Sequence, residues 1–258
     1  MAETQSAEAV ITCKNCDAYL HGSFCSACGQ KHIPSRLSAK ELFVNAFFAF
    51  MDLDSTIWRT IRELTRNPGQ VALNYIGGQR FSYVNPIKYF LVTSAFALAV
   101  IALTVGLDTM ADGMVHIDGD FKETDTVFQI GEALRSVLRE NMNLISFLTL
   151  PLFAFLLRWQ YWRSGRNYAE TLSFLAFAMG QTNLYSALLV IVLAAAGSGD
   201  QGISVFIGFI VLLHAAKVFF GMSWPKAFFA VVLSSILQSI TGILVAGILV
   251  LAKMAGLI

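Results

Sequence analysis

The chain has 258 residues, 56% of them hydrophobic, a mean hydropathy of +0.62 and only 14% charged residues. Water-soluble domains carry about 25% charged residues, so this chain lacks the polar surface that an ordinary globular protein of its length needs. The net charge of +1 decides nothing about partners, and the placement of the charges is the informative part.

Residues 1–12 are small and polar and read as a frayed tail. Residues 13–30 hold all four cysteines in the pattern Cys13-x2-Cys16-x8-Cys25-x2-Cys28. No apolar segment precedes them, so export by a signal peptide is not expected, and a reducing compartment argues against disulfides. Two Cys-x2-Cys knuckles bring four thiolates to one tetrahedral ion at about 2.3 Å. A unit with little core beyond Tyr19 and Phe24 folds because the metal supplies the free energy. The expected cofactor is a structural Zn2+, with rubredoxin-like iron and disulfides as alternatives. Four protein ligands leave no open position for catalysis. The bland role is a fold staple or docking knob; the sharper one is a zinc or redox sensor. With Lys14 the only basic residue inside the module, no nucleic-acid partner is expected.

After a linker to Ser35, residues 36–85 read as cytosolic amphipathic helices at the membrane interface. Ser38 begins one, with Glu41 placed as in a capping box, and Leu42, Phe43, Ala46, Phe47 and Phe50 form its stripe. A second has Ile57, Trp58, Ile61 and Leu64 opposite Arg59, Arg62, Glu63 and Arg66. A small soluble helical domain is the alternative. Pro68 starts a short helix to Tyr75, broken by Gly77-Gly78.

Residues 86–258 read as a transmembrane bundle. About 20 apolar residues cross a bilayer core, and five segments qualify: 89–107, 141–157, 172–196, 203–220 and 227–251. Lys88 is placed to snorkel, and Pro151 predicts a kink. The acidic segment 108–140 lies between the first two spans, and its second half is amphipathic. Asp118-x-Asp120-x-Lys122 within it reads as a solvated loop rather than a calcium site, because Glu123 stands where the glycine is needed. Of the 18 Lys and Arg residues, only Lys122, Arg135, Arg139 and Lys253 fall on one side of these spans. The positive-inside rule puts the N-terminus in the cytosol and the C-terminus outside.

Gln181, Asn183, His214 and Gln238 lie inside the spans. They read either as interhelical hydrogen bonds or as a polar path through the bundle. No phosphate-cradling glycine loop, metalloprotease motif or nucleophile elbow occurs.

Several stretches carry a resemblance: Cys25-Ser26-Ala27-Cys28-Gly29-Gln30, Asn67-Pro68-Gly69, Tyr75-Ile76-Gly77-Gly78-Gln79-Arg80, Tyr83-Val84-Asn85-Pro86-Ile87-Lys88, Leu150-Pro151-Leu152-Phe153-Ala154 and Tyr168-Ala169-Glu170. Over residues 13–175 the chain resembles an uncharacterised bacterial family, a numbered domain of unknown function. Its members join an N-terminal zinc ribbon to an amphipathic region and several C-terminal spans. The resemblance implies an architecture and no activity. It also implies a glycine after the second cysteine, where this chain has Asp17.

The fold class expected is therefore an all-α polytopic membrane protein with about five spans and an N-terminal zinc ribbon, placed in the bacterial inner membrane. The leading function is a non-enzymatic scaffold that docks a cytosolic protein at the bilayer. One alternative is a transporter or channel component using Gln181, Asn183 and Gln238. The other is a lipid-acting enzyme using Arg80, Glu170 and His214 near the interface.

Overall fold

The computed structural model describes residues 11–20, 22–32, 36–43, 56–106, 126–196 and 202–255. The expected tail before residue 11, the amphipathic helix beyond residue 43 and the acidic segment 107–125, with its Asp118-x-Asp120 loop, lie outside the described residues. Among the described residues, seven helices of ten residues or more follow the cysteine module: α1 Thr56–Arg66, α2 Pro68–Gly77, α3 Pro86–Thr104, α4 Thr126–Gln160, α5 Tyr168–Ala195, α6 Gly202–Phe219 and α7 Trp224–Met254, with a 3-10 turn Trp162–Ser164 after α4.

The helix starts follow from local chemistry. Asn67 caps α2 by accepting from the Gln70 N–H, and Asn85 caps α3 by accepting from Ile87 and Lys88. Pro68 and Pro86 occupy the first turns, where their missing N–H groups are not needed. Gly78 ends α2 at φ +118°, a conformation that only glycine adopts freely. Ser38 Oγ accepts from the Glu41 N–H and so caps the short helix at 39–43. The Glu41 carboxylate does not close the expected box; it lies 3.0 Å from Arg80.

The bundle is built on two helix pairs, one parallel and one antiparallel. α3 and α5 run parallel, paired first by Tyr89 and Gln181, then by Ser94 and Asn183, then by the apolar cluster Ala97, Val100, Ala187 and Val190. α4 and α7 run antiparallel. Gln160 donates to the Ala230 carbonyl at one end, and Lys253 meets Glu140 at 2.8 Å at the other. Tyr161 stacks on Phe220 and Phe174 on Phe219, which ties α6 to the same end of the bundle. α2 is wedged into that end, with Val71, Ala72 and Tyr75 buried. A Cβ on Gly69 would lie 2.5 Å from the Ala215 carbonyl oxygen and 2.6 Å from Val218 Cβ, so only glycine lets α2 lie this close to α6.

Large apolar side chains face outward all along the bundle: Leu103 is 87% exposed, Ile243 72% and Phe206 71%. Contiguous exposure on this scale has no place in water and is what a lipid-facing surface requires. α3, α5 and α7 are long and apolar enough to cross a membrane. α4 makes a fourth crossing if its two arms, Phe128–Met142 and Leu144–Gln160, which meet at 85°, count as one span. The expected fifth, over 203–220, is α6, whose described apolar stretch Phe206–Phe219 is shorter than a crossing needs. The chain is an all-α, multi-pass membrane protein with three such helices, or four, among the described residues.

Three details differ from the sequence expectation. The break in α4 is at Asn141 (φ −123°, ψ 19°), and the helix continues through Pro151 with helical backbone. Lys88 is buried rather than snorkelling. Trp58 is 74% exposed, whereas Ile57, Ile61 and Leu64 pack against the core. At 3.6 residues per turn, Trp58 lies off the stripe those three share.

Adding a methyl group at Gly69 or Gly180 forces atoms apart, because the Gly180 Cβ would meet Tyr89 at 2.7 Å. Gly69→Ala and Gly180→Ala are each expected to destabilise the detergent-solubilised protein by about 1–3 kcal/mol. Gly77→Ala, which meets nothing within 4 Å, should stay within about 0.5 kcal/mol. Equilibrium unfolding of the three variants checks the contrast.

Candidate metal centre

The two knuckles are the same structure made twice. In the first, the Cys13 N–H donates to the Ala18 carbonyl, Asp17 to Cys13, and Leu20 to Ile11. In the second, Cys25 donates to Gln30, Gly29 to Cys25, and His32 to Ser23. Each is closed by one antiparallel bridge, Thr12 with Tyr19 and Phe24 with Lys31. The residue after the second cysteine takes positive φ in both: +59° at Asp17 and +78° at Gly29. Asp17 therefore occupies, at some cost, the left-handed conformation that glycine adopts freely.

The four sulfurs lie within 4.8 Å of one another. The Cys13–Cys28 separation is 3.7 Å and the Cys16–Cys25 separation 3.6 Å. Thiolates at about 2.3 Å from a tetrahedral ion are about 3.8 Å apart, so the donor set fits a metal. All four cysteines are free thiols. Without a cation the thiols cannot all ionise together. The Cys28 backbone N–H draws the Cys25 pKa down to about 7. At Cys16 the Ala18 N–H pulls downward, but the neighbouring thiols, led by Cys28, together with burial push it up to about 12. A metal ion replaces this unequal sharing of protons with four equivalent bonds.

The centre is seated on the bundle by side-chain amides. Gln30, 5% exposed, donates from Nε2 to the Gly78 carbonyl at 2.8 Å and accepts from the Phe81 N–H at 3.0 Å. Asn15, inside the first knuckle, accepts from both the N–H and the hydroxyl of Ser82. The Lys14 side chain lies against Gly78, where a Cβ would come within 2.7 Å of it. The loop held in this way runs directly into Asn85 and α3. Further along, Arg36 forms a two-pronged pair with Glu170, at 2.8 and 2.6 Å, and also donates to the Gly165 carbonyl. Asn167 donates to the Leu37 carbonyl.

Glu170 is thus a structural residue. It closes the capping box at the start of α5 and is 4% exposed. Arg80 pairs with Glu41, and His214 sits on α6 beside Trp224, 6.4 Å between ring centroids. These three serve separate contacts. Gln181 is fully buried and satisfied, accepting from the Tyr89 hydroxyl at 2.6 Å and donating to Thr65. Asn183 and Gln238 differ. Asn183 donates to Ser94 and Gln238 reaches the Met179 sulfur at 3.7 Å, and both line a cavity of about 110 Å3 among Ser146, Thr149 and Phe153. The sequence reading missed Asn15, Gln30, Glu41 and Arg36 as contact residues. Their partners are far away in the chain, and no local pattern links them.

The fold and the thiol cluster define a multi-pass membrane protein with a candidate tetrathiolate centre. Residues 54–98, which span α1, α2, the loop and most of α3, match the family model described as a protein of unknown function, DUF3667. That agrees with the resemblance carried by Asn67-Pro68-Gly69 and the segments after it. No curated protein and no solved structure matches the chain.

Asp17→Gly relieves the strained turn and should strengthen metal retention by about 1 kcal/mol, seen as a higher chelator concentration needed to strip the metal. Arg36→Ala leaves the buried Glu170 carboxylate with fewer donors. It should lower the melting temperature, though modestly, because the guanidinium itself is 62% exposed and screened by solvent. A thermal melt of the metal-loaded protein checks it.

Proposed function

We propose that this chain is a bacterial inner-membrane protein without catalytic activity, whose zinc-held N-terminal module faces the cytosol and docks a protein partner at the membrane surface. The single observation behind the reading is the combination of a complete four-thiol donor set with a fixed seat on the bundle. A closed site supplies structure rather than chemistry. The Gln30 and Asn15 contacts hold the module in one orientation while Ile11, Tyr19 and Phe24 stay 48%, 64% and 63% exposed. Zinc suits a tetrathiolate staple because it has no redox chemistry of its own.

The orientation rests on charge. Arg158, Arg163, Arg166, Lys217 and Lys226 belong to the same end as Lys88 and the module, together with Trp159, Trp162 and Trp224. The positive-inside rule assigns that end to the cytosol. Trp58 and the basic face of α1 support an interfacial position for that helix. No nucleic-acid partner is part of the reading.

A second reading, a transporter or channel component, draws on one observation. The cavity bearing Asn183 and Gln238 adjoins another of about 150 Å3, and both include Ser146 and Asn183. The enzyme reading draws no such support, since Arg80, Glu170 and His214 are engaged separately.

A photoreactive side chain at position 19 should capture one cytosolic protein reproducibly in intact cells. Phe24→Asp should abolish that capture while metal content and membrane insertion are retained. Capture that survives Phe24→Asp, or no capture at all, refutes docking. For the second reading, Asn183→Leu should change solute flux in proteoliposomes. Gln181→Leu should instead lower stability, because it strands the Tyr89 hydroxyl.

A further inference from the structure

A cleft of about 890 Å3 lies between the second knuckle, the 39–43 helix and the loop after α2. Its ionisable lining is Lys31, His32, Glu41 and Arg80, and Phe24 and Phe81 supply aromatic walls. Both phenyl rings are more than half exposed. Arg80 is the unusual member. Its side chain is 9% exposed, one terminal nitrogen lies 3.0 Å from Glu41, and Nε is buried with no hydrogen-bond partner among the described residues. A guanidinium presents five donors in a rigid fork, and a single carboxylate oxygen at one corner leaves most of that fork unused. A buried donor without an acceptor is costly, so a ligand rich in acceptors gains from this position.

The charges say which ligand. Arg80 and Lys31 outweigh Glu41, and His32 adds a further donor, so the cleft favours an anion. A tetrahedral oxyanion matches the fork of Arg80 and still has oxygens for Lys31. The cleft also lies at the basic, Trp-rich end of the bundle, because its loop continues through Asn85 into the first turn of α3. Aromatic walls at that level suit the glycerol and first methylenes of a lipid. Glu41 holds Arg80 when the ligand is away and competes with it when present.

We propose that this cleft binds a phosphate group, carried on a lipid headgroup or on a small soluble molecule, with Arg80 as its principal donor and Glu41 as a built-in competitor. This goes beyond partner docking and does not depend on it, since it is tested with the purified chain alone.

The test is native mass spectrometry of the full-length, metal-loaded protein in a neutral detergent. It is titrated with dioctanoyl phosphatidylglycerol, with inorganic phosphate and with dioctanoylglycerol, which has no phosphate. At least one phosphate-bearing probe should bind and dioctanoylglycerol should not. Binding of the lipid alone identifies a headgroup site, and binding of inorganic phosphate identifies a soluble ligand. Arg80→Gln should weaken binding by about tenfold or more, the loss of a charged hydrogen-bond donor, and Glu41→Gln should tighten it by about threefold, the scale of one exposed ion pair. If Arg80→Gln is not recovered folded with its metal, Lys31→Glu at the exposed rim must show the loss. No binding of either phosphate probe overturns the proposal. So does binding that is equal for the phosphate-free lipid, or affinity unmoved by Arg80→Gln or, in its place, Lys31→Glu.

Discussion

One primary amide ties the aqueous and membrane parts of this protein together. Gln30 meets the Gly78 carbonyl and the Phe81 N–H as a neighbouring β-strand would. Near a bilayer, backbone groups that lose water must find partners within the chain, and a loop leading into a membrane helix is where this need is sharpest. The cysteine centre fixes the knuckle, the knuckle presents Gln30 and Asn15, and these fix the loop. The loop then delivers Asn85, which caps α3 and donates to the Leu42 carbonyl. A metal ion held by the thiols would act through this series of contacts on the first helix of the bundle.

A second tie works through charge. Glu170 is almost wholly buried, accepts from its own helix N-terminus and receives the fork of Arg36 from outside. The positive end of the α5 dipole and the guanidinium favour the same ionised carboxylate. The segment around Arg36 is thereby fastened to α5, as the module is to the loop before α3, and α5 and α3 pack on each other in the core. Attachment at two distant points explains how a module with so little apolar core of its own holds a defined position.

Much of this was legible in the sequence, and for identifiable reasons. The cysteine spacing announced the thiol cluster because metal geometry leaves few alternatives. Asn67-Pro68 and Asn85-Pro86 announced two helix starts because capping is local chemistry. Apolar length announced α3, α5 and α7. Residues were misjudged where the deciding partner lies far along the chain. Glu41 looked like the closing member of a capping box, yet it turns to Arg80. Gln181 is the exception: the interhelical hydrogen bonding its sequence suggests is what it makes, to Tyr89 and Thr65. Lys88 looked free to snorkel, yet it is buried. The bend at Asn141 is a backbone event with no proline or glycine to mark it, and Pro151 drew attention to the wrong place.

The unequal lengths of the crossing helices have a mechanical consequence. At 1.5 Å per residue, α3 with 19 residues is about 28 Å long, close to the hydrocarbon thickness, whereas α7 with 31 is about 46 Å. The surplus of α7 is sheltered by the arm of α4 that turns aside at Asn141, through Val137, Ile145, Val245 and Val250, and is fastened there by Lys253 and Glu140. α7 therefore exceeds the hydrocarbon thickness that α3 matches, and either the α4–α7 pair leans or the bilayer beside it thickens to take up the difference.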